Sequence, residues 1–190
     1  MSRMLFVTLV SAALFAGCSK PTAEDYFARG QQSEQSARAV ADTLNDRTKL
    51  GELFTPALGN YRDLVQEYPR HALAGEALFL TATIEQNDLA QPAEAVETYK
   101  QYVSAFPEGS KTPVAMFLVG YLYNNELQSI DSAGVWYRKF LERYPSNEMA
   151  ASAQFELNNL GRSAEDLLRA QEASTQGGVP GGGKRGSRKN

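Results

Sequence analysis

The chain has 190 residues, of which 43% are hydrophobic and 22% charged, and its formal net charge is -3. Its one cysteine and one histidine are too few for a disulfide framework or for a structural zinc site, which needs about four Cys or His ligands. The small net charge does not indicate a nucleic-acid partner. A Ser-His-Asp or Cys-His enzyme would depend wholly on His71, which we interpret as a surface residue beside a turn. We therefore predict no enzyme, no cofactor and no metal.

The first 17 residues are typical of a signal peptide. Arg3 precedes an uncharged apolar run from Met4 to Gly17, which is shorter than the roughly 20 residues of a membrane-spanning helix. Residues 14–18 read LFAGC and resemble the lipobox of bacterial lipoproteins. That resemblance implies that Cys18 is lipidated, for example with palmitate, and begins the mature chain. Ser19 is the kind of residue that such lipoproteins carry when they pass to the outer membrane, so the expected location is its periplasmic face.

Residues 18–22 are predicted to be the lipidated cysteine and a short tether. Residues 23–54 follow as one or two helices that cap the next domain. Apolar residues such as Tyr26, Phe27 and Val40 support helix there, although they flank a polar stretch from Gly30 to Ser36.

Residues 55–173 contain an internal repeat with a constant period. The dipeptides Tyr68-Pro69, Phe106-Pro107 and Tyr144-Pro145 are separated by 38 residues. The same period relates three further sets, which are Ala57, Ala95 and Ala133; Tyr61, Tyr99 and Tyr137; and Phe79, Phe117 and Phe155. A fixed period of this length indicates a solenoid of stacked units.

Each unit is predicted to be a pair of helices. Apolar residues between Ala95 and Phe106 recur at intervals of three and four, and the following proline ends that helix. The preceding segments, Ala77–Ile84 and Val114–Tyr123, are apolar on nearly every side, so we expect neighbouring helices to cover them. Met149–Leu160 is predicted to be the first helix of a third unit. A short capping helix beginning at Ser163 takes the place of the second helix of that unit.

The unit resembles the tetratricopeptide repeat. The residues that carry the resemblance are Phe79 and Phe117 in the first helix, Ala95, Ala133, Tyr99 and Tyr137 in the second, and the closing Pro107 and Pro145. It implies an all-α fold, a right-handed solenoid of antiparallel helix pairs. With the lipoprotein signal, the chain looks like the BamD-type group of outer-membrane lipoproteins, and it is also similar to the repeat region of CpoB-type periplasmic proteins.

The sequence departs from the family pattern at two positions in each unit. Leu64, Tyr102 and Phe140 replace a small residue late in the second helix, and Thr83, Tyr121 and Asn159 replace the Gly or Ala of the first helix. Bulkier residues there predict looser or differently angled helix packing.

Residues 174–190 form a glycine-rich tail that we predict to be disordered, because it cannot bury enough apolar surface to offset its ordering entropy. Its segment Gly178–Lys184 resembles a phosphate-binding loop only superficially, since Arg185 stands where Ser or Thr would bind magnesium. The cations of the tail allow two interpretations, and both remain open. The tail contacts an anionic lipid or polymer, or it is a solvated end.

Three functions remain open at this point. In the first, the protein is an envelope adaptor that holds proteins or peptide segments in the groove formed by the first helices. The resemblance places six residues there, namely Leu80, Ile84, Asn87, Leu118, Leu122 and Asn125. An opposing interpretation is that adjacent helices simply cover these leucines. The second function is a cell-wall hydrolase that uses Glu85 and Asp88, and the third is binding of an anionic polymer by the tail.

Overall fold

A computed structural model describes residues 20–41, 46–162, 165, 166, 168, 169 and 172. The predicted signal peptide 1–17, Cys18 and the tail 174–190 lie outside the described residues, so the anchor and the tail stay predictions. None of the helices within the described ranges is long and apolar enough to cross a membrane.

Within those ranges all regular secondary structure is helical. The helices are α1 (Ala23–Ala41), α2 (Arg47–Glu67), α3 (Ala72–Thr83), α4 (Pro92–Ala105), α5 (Thr112–Asn125), α6 (Ile130–Arg143) and α7 (Ala150–Asn158). A π-helical turn, Ile84–Asp88, continues α3 directly.

Each helix packs mainly on its neighbours in the chain, so the core is divided along the molecule. One buried cluster joins α1, α2 and α3, a second joins α3, α4 and α5, and a third joins α5, α6 and α7. Helices α3 and α5 each contribute to two clusters. This sharing explains why their sequences are apolar on most sides, and it confirms the predicted helical solenoid.

The second helix of each pair ends where the Tyr/Phe-Pro dipeptides predict. Tyr68, Phe106 and Tyr144 are the C-cap residues of α2, α4 and α6, each followed by its proline. Their N–H groups donate to the carbonyl oxygens of Leu64, Tyr102 and Phe140 at 2.9, 2.8 and 2.8 Å. The 38-residue period is therefore also a period of backbone hydrogen bonds.

The turns between first and second helices repeat as well. Ala90 and Gln128, 38 residues apart, have positive φ angles of 50° and 52°. Immediately after them, the N–H groups of Gln91 and Ser129 donate over 2.7 Å to the carbonyl oxygens of Glu85 and Tyr123. No glycine marks either turn in the sequence.

The amino-terminal cap is more continuous than its sequence suggests. Helix α1 runs unbroken through the polar stretch from Gly30 to Ser36, and α2 continues past residue 54 to Glu67. The predicted boundary between residues 54 and 55 therefore falls inside a helix. The physical reason is that Tyr61 and Leu64, which carry the repeat pattern, pack in the same cluster as α1 residues.

The bulky residues that depart from the family pattern late in the second helix lie in the core. Leu64, Tyr102 and Phe140 are almost fully buried, and Tyr102 packs edge-on against Phe79 with 5.8 Å between ring centroids. Small residues are present at other positions. A Cβ atom on Gly30 would lie 2.4 Å from Cε1 of Tyr61, and one on Gly120 would lie 2.9 Å from Cε1 of Tyr137. The glycines make room for the rings of Tyr61 and Tyr137, and the expectation of looser or differently angled helix packing stays a prediction.

Helix α7 is the last helix that the described residues contain without a gap, and the capping helix predicted from Ser163 begins outside the described residues. The helical residues described beyond α7 are 165, 166, 168, 169 and 172, and all of them are exposed. Phe155, the repeat equivalent of Phe79 and Phe117, is 54% exposed.

Candidate functional site

The six predicted groove residues do not all reach the surface. Ile84 and Leu122 are 0% and 1% exposed because they belong to the first and second buried clusters. Leu80 and Leu118 are half-buried, while Asn87 and Asn125 are exposed. For Ile84 and Leu122 the opposing interpretation is therefore correct: neighbouring helices cover them, which leaves four of the six accessible to a partner.

The surface formed by α1, α3 and α5, which we call the first-helix face, has two clefts. The α1–α3 cleft has a volume of about 560 Å³ and one apolar lining residue, Leu80. The remainder of its lining is polar and comes from α1, namely Gln31, Gln32, Glu34, Gln35 and Arg38. Glutamine amides can donate and accept at once, so this lining suits the backbone of a peptide segment.

Arg38 links α1 to the π-helical turn at one side of this cleft. Its Nη1 donates to Oδ1 of Asp88 at 2.9 Å, and its Nε donates to Oε1 of Glu34 at 3.1 Å. Tyr61 donates its hydroxyl to the other Glu34 oxygen at 2.7 Å. Burial raises the pKa of Asp88, and the nearby Arg38 lowers it. Arg38 thus donates hydrogen bonds to two carboxylates, those of Glu34 and Asp88.

The α3–α5 cleft has a volume of about 410 Å³ and holds the predicted Asn87. Its apolar lining residues are Ala90, Pro92, Tyr121 and Leu122, of which Tyr121 is 37% exposed. The family pattern expects a small residue at that position, so reasoning by resemblance treats Tyr121 as a packing defect and does not identify it as a surface residue. Gln86 and Glu126 complete a polar rim.

A third cleft, the α2–α4 cleft, lies between the second helices and has a volume of about 440 Å³. Apolar residues from three regions line it, including Leu58 and Val65 of α2 and Leu78 of α3. Glu85, Thr98 and Arg62 are among its polar lining residues. Burial raises the pKa of Glu85, while a hydrogen bond with Thr98 lowers it.

Glu85 and Asp88, the two carboxylates of the hydrolase hypothesis, have different neighbours. Asp88 pairs with Arg38 of α1, whereas Glu85 lines the cleft between α2 and α4. The two side chains therefore have different surroundings. Both are half-buried, so neither belongs to a fully solvated helix end.

His71 has a structural position. It is the N-cap residue of α3, where its Nδ1 accepts from the N–H of Leu73 at 3.3 Å. Its Nε2 lies 3.4 Å from Oε1 of Glu24. An N-cap satisfies a helix N–H group that would otherwise have no partner.

Among the described residues, no three His, Cys, Asp or Glu side chains gather where they could hold a metal ion.

Comparison with known families identifies a repeat in the middle of the chain. Residues 76–109, which span most of α3, the π-helical turn and all of α4, match the model of the tetratricopeptide repeat. No curated protein sequence matches the chain. The chain therefore carries a tetratricopeptide repeat within a tetratricopeptide-like helical solenoid. Repeats of this kind are generally non-catalytic scaffolds that bind protein partners.

Proposed function

We propose that this protein is a non-enzymatic adaptor of the bacterial envelope, tethered through lipidated Cys18 to the periplasmic face of the outer membrane. Its first-helix face would hold proteins or peptide segments of the machinery that assembles outer-membrane proteins, as the resemblance to the BamD-type group implies. The alternative is a cell-wall-associated role of the CpoB type.

The observation that carries the proposal is the lining of the first-helix face. Two clefts of about 560 and 410 Å³ combine side-chain amides with Leu80 and Tyr121. Amides can pair with a peptide backbone, and a partly exposed aromatic ring can anchor an apolar side chain. Solenoids with this architecture use extended surfaces of this kind for binding.

Tyr121→Asp tests the face. We expect it to lower the recovery of crosslinked envelope partners by roughly tenfold, because loss of a central aromatic anchor commonly costs more than about 1.4 kcal/mol. The measurement is crosslinking in intact cells followed by identification of the captured proteins.

The matched control is Val135→Asp, which places the same charge on a side chain that is 42% exposed on α6, a second helix outside both clefts. It should leave partner recovery unchanged. Circular dichroism should show equal helical content in both variants. Equal recovery from the two folded variants would contradict binding at the first-helix face.

The same crosslinking with Cys18→Ala, which cannot be lipidated, tests the membrane anchor independently of the first-helix face. The variant should leave the membrane fraction. Capture of outer-membrane assembly proteins would favour the BamD-type role, and capture of cell-wall enzymes would favour the CpoB-type role.

A further inference from the structure

The α2–α4 cleft exists because of two residues that the next repeat does not share. Glu85 and Thr98 line it, and 38 residues later the same positions hold Tyr123 and Trp136. Those aromatic side chains are partly buried against the second and third clusters. Equivalent backbone positions are therefore filled by large rings in one repeat and left open in the other.

The cleft is separate from the first-helix face. On the α3 side it is lined by Leu78, Thr81 and Glu85, which are three and four residues apart and so share one face of the helix. Leu80, which lines the α1–α3 cleft, lies on a different side of α3. A ligand in the α2–α4 cleft would leave the first-helix face free.

Within the described part of the chain, one oxygen of Glu85 lacks a hydrogen-bond partner, although the carboxylate forms a hydrogen bond with Thr98. Its Oε2 atom is buried and has no hydrogen-bond partner among the described residues. Arg62 lines the same cleft, and its charge lowers the pKa of Glu85, but its side chain is exposed and the ion pairs found among the described residues do not include these two. A buried carboxylate oxygen without a donor costs free energy, which a ligand that brings a charged donor would recover.

We propose that the α2–α4 cleft receives a lysine or arginine side chain of a partner protein. The aliphatic stem would lie along Leu58, Val65 and Leu78, and the cationic end would donate to Glu85. Long basic side chains combine these two properties, since their stems pack on apolar surface while their ends keep charge and donors.

The test uses the full chain in a non-ionic detergent and blocked pentapeptides with the sequence Ala-Leu-Lys-Leu-Ala. Amide NMR shifts on titration should map to Val65, Thr81 and Thr98. A norleucine peptide, which keeps all four stem carbons and lacks the ammonium group, should bind about tenfold more weakly, because a hydrogen bond to a charged group is lost. An arginine peptide should bind at the same place.

Two variants identify the cleft. Thr98→Trp copies Trp136 of the next repeat, so it should fill the cleft while the helical circular dichroism stays unchanged, and it should abolish the shifts. Glu85→Gln should keep weak binding but remove the preference for lysine over norleucine. Absence of binding to the wild-type chain, equal binding of the lysine and norleucine peptides, or undiminished binding by folded Thr98→Trp would each overturn the proposal. None of these outcomes bears on the first-helix face, which Tyr121→Asp tests.

Discussion

At the scale of single residues, glycines decide how closely the paired helices approach. Gly30 of α1 and Gly120 of α5 are buried, and each faces the ring of a fully buried tyrosine on the next helix. Tyr61 and Tyr137 are both 0% exposed. The same contact between a glycine and a tyrosine ring thus occurs in the amino-terminal pair and in a regular repeat. This shows that α1 and α2 pack as a repeat pair, although α1 does not keep the 38-residue register.

Gly30→Ala should destabilise the protein. Its new methyl group would meet the Tyr61 ring at 2.4 to 3.0 Å, and overpacking of this kind costs about 1–3 kcal/mol, more than the helix propensity that alanine adds. The matched control is Gly59→Ala in α2, where nothing lies within 4 Å of the added atom and a gain of about 0.5–1 kcal/mol is expected. Thermal melting followed by circular dichroism measures both. A higher Tm for Gly30→Ala would show that the ring moves aside freely.

At the scale of elements, the turn between the first and second helices has the same geometry in both repeats and yet lacks the residue that usually makes it. A left-handed φ near 50° costs an L-residue roughly 1–2 kcal/mol, and glycine avoids most of that cost. The turns are kept because the hydrogen bonds to Glu85 and Tyr123 carbonyls and the packing of four helices over-determine them. The strain lies within the turn, and the packing between helices compensates for it.

Ala90→Gly should therefore raise the free energy of unfolding by about 0.5 kcal/mol, since relief of the left-handed strain exceeds the entropy that glycine adds to the unfolded chain. Ala28→Gly, at an exposed position inside α1, is the control and should lower it by about 1 kcal/mol. Urea unfolding of the two variants beside the wild type gives the comparison. If both substitutions destabilise equally, the left-handed turn stores no strain.

At the scale of the whole molecule, position in the array determines what a repeated residue contributes. Phe117 packs edge-on against Tyr137 and Phe140, with ring centroids 5.6 and 6.2 Å away. Phe155 has the same place in its repeat but is 54% exposed. In the sequence, Thr175 and Gly178 are the residues 38 positions after Tyr137 and Phe140. A repeat buries its face only when a neighbour follows it.

Phe117→Ala is expected to cost roughly 2 kcal/mol, somewhat below the usual cost for a fully buried phenylalanine. Phe155→Ala should change stability by less than about 0.5 kcal/mol, because most of its ring already faces solvent. The midpoints of thermal unfolding test this pair, and the wild type provides the reference. A large loss from Phe155→Ala would mean that something covers this end of the array.

Much of this architecture was determined by the sequence alone. The 38-residue spacing of tyrosines, phenylalanines and prolines predicted the helix pairs and the ends of α2, α4 and α6, because helix amphipathicity and proline geometry are local properties. The anchor at Cys18 stays a sequence prediction.

Only the tertiary structure decided which of the apolar first-helix residues are covered. A helix that is apolar on every side does not reveal which side meets a neighbour, so Ile84 and Leu122 could not be separated from Leu80 and Leu118 in advance. Tyr121 became a surface residue and the α2–α4 cleft appeared for the same reason. Both depend on which side chains from distant positions fill the space between helices, and that space exists only when the pairs stack.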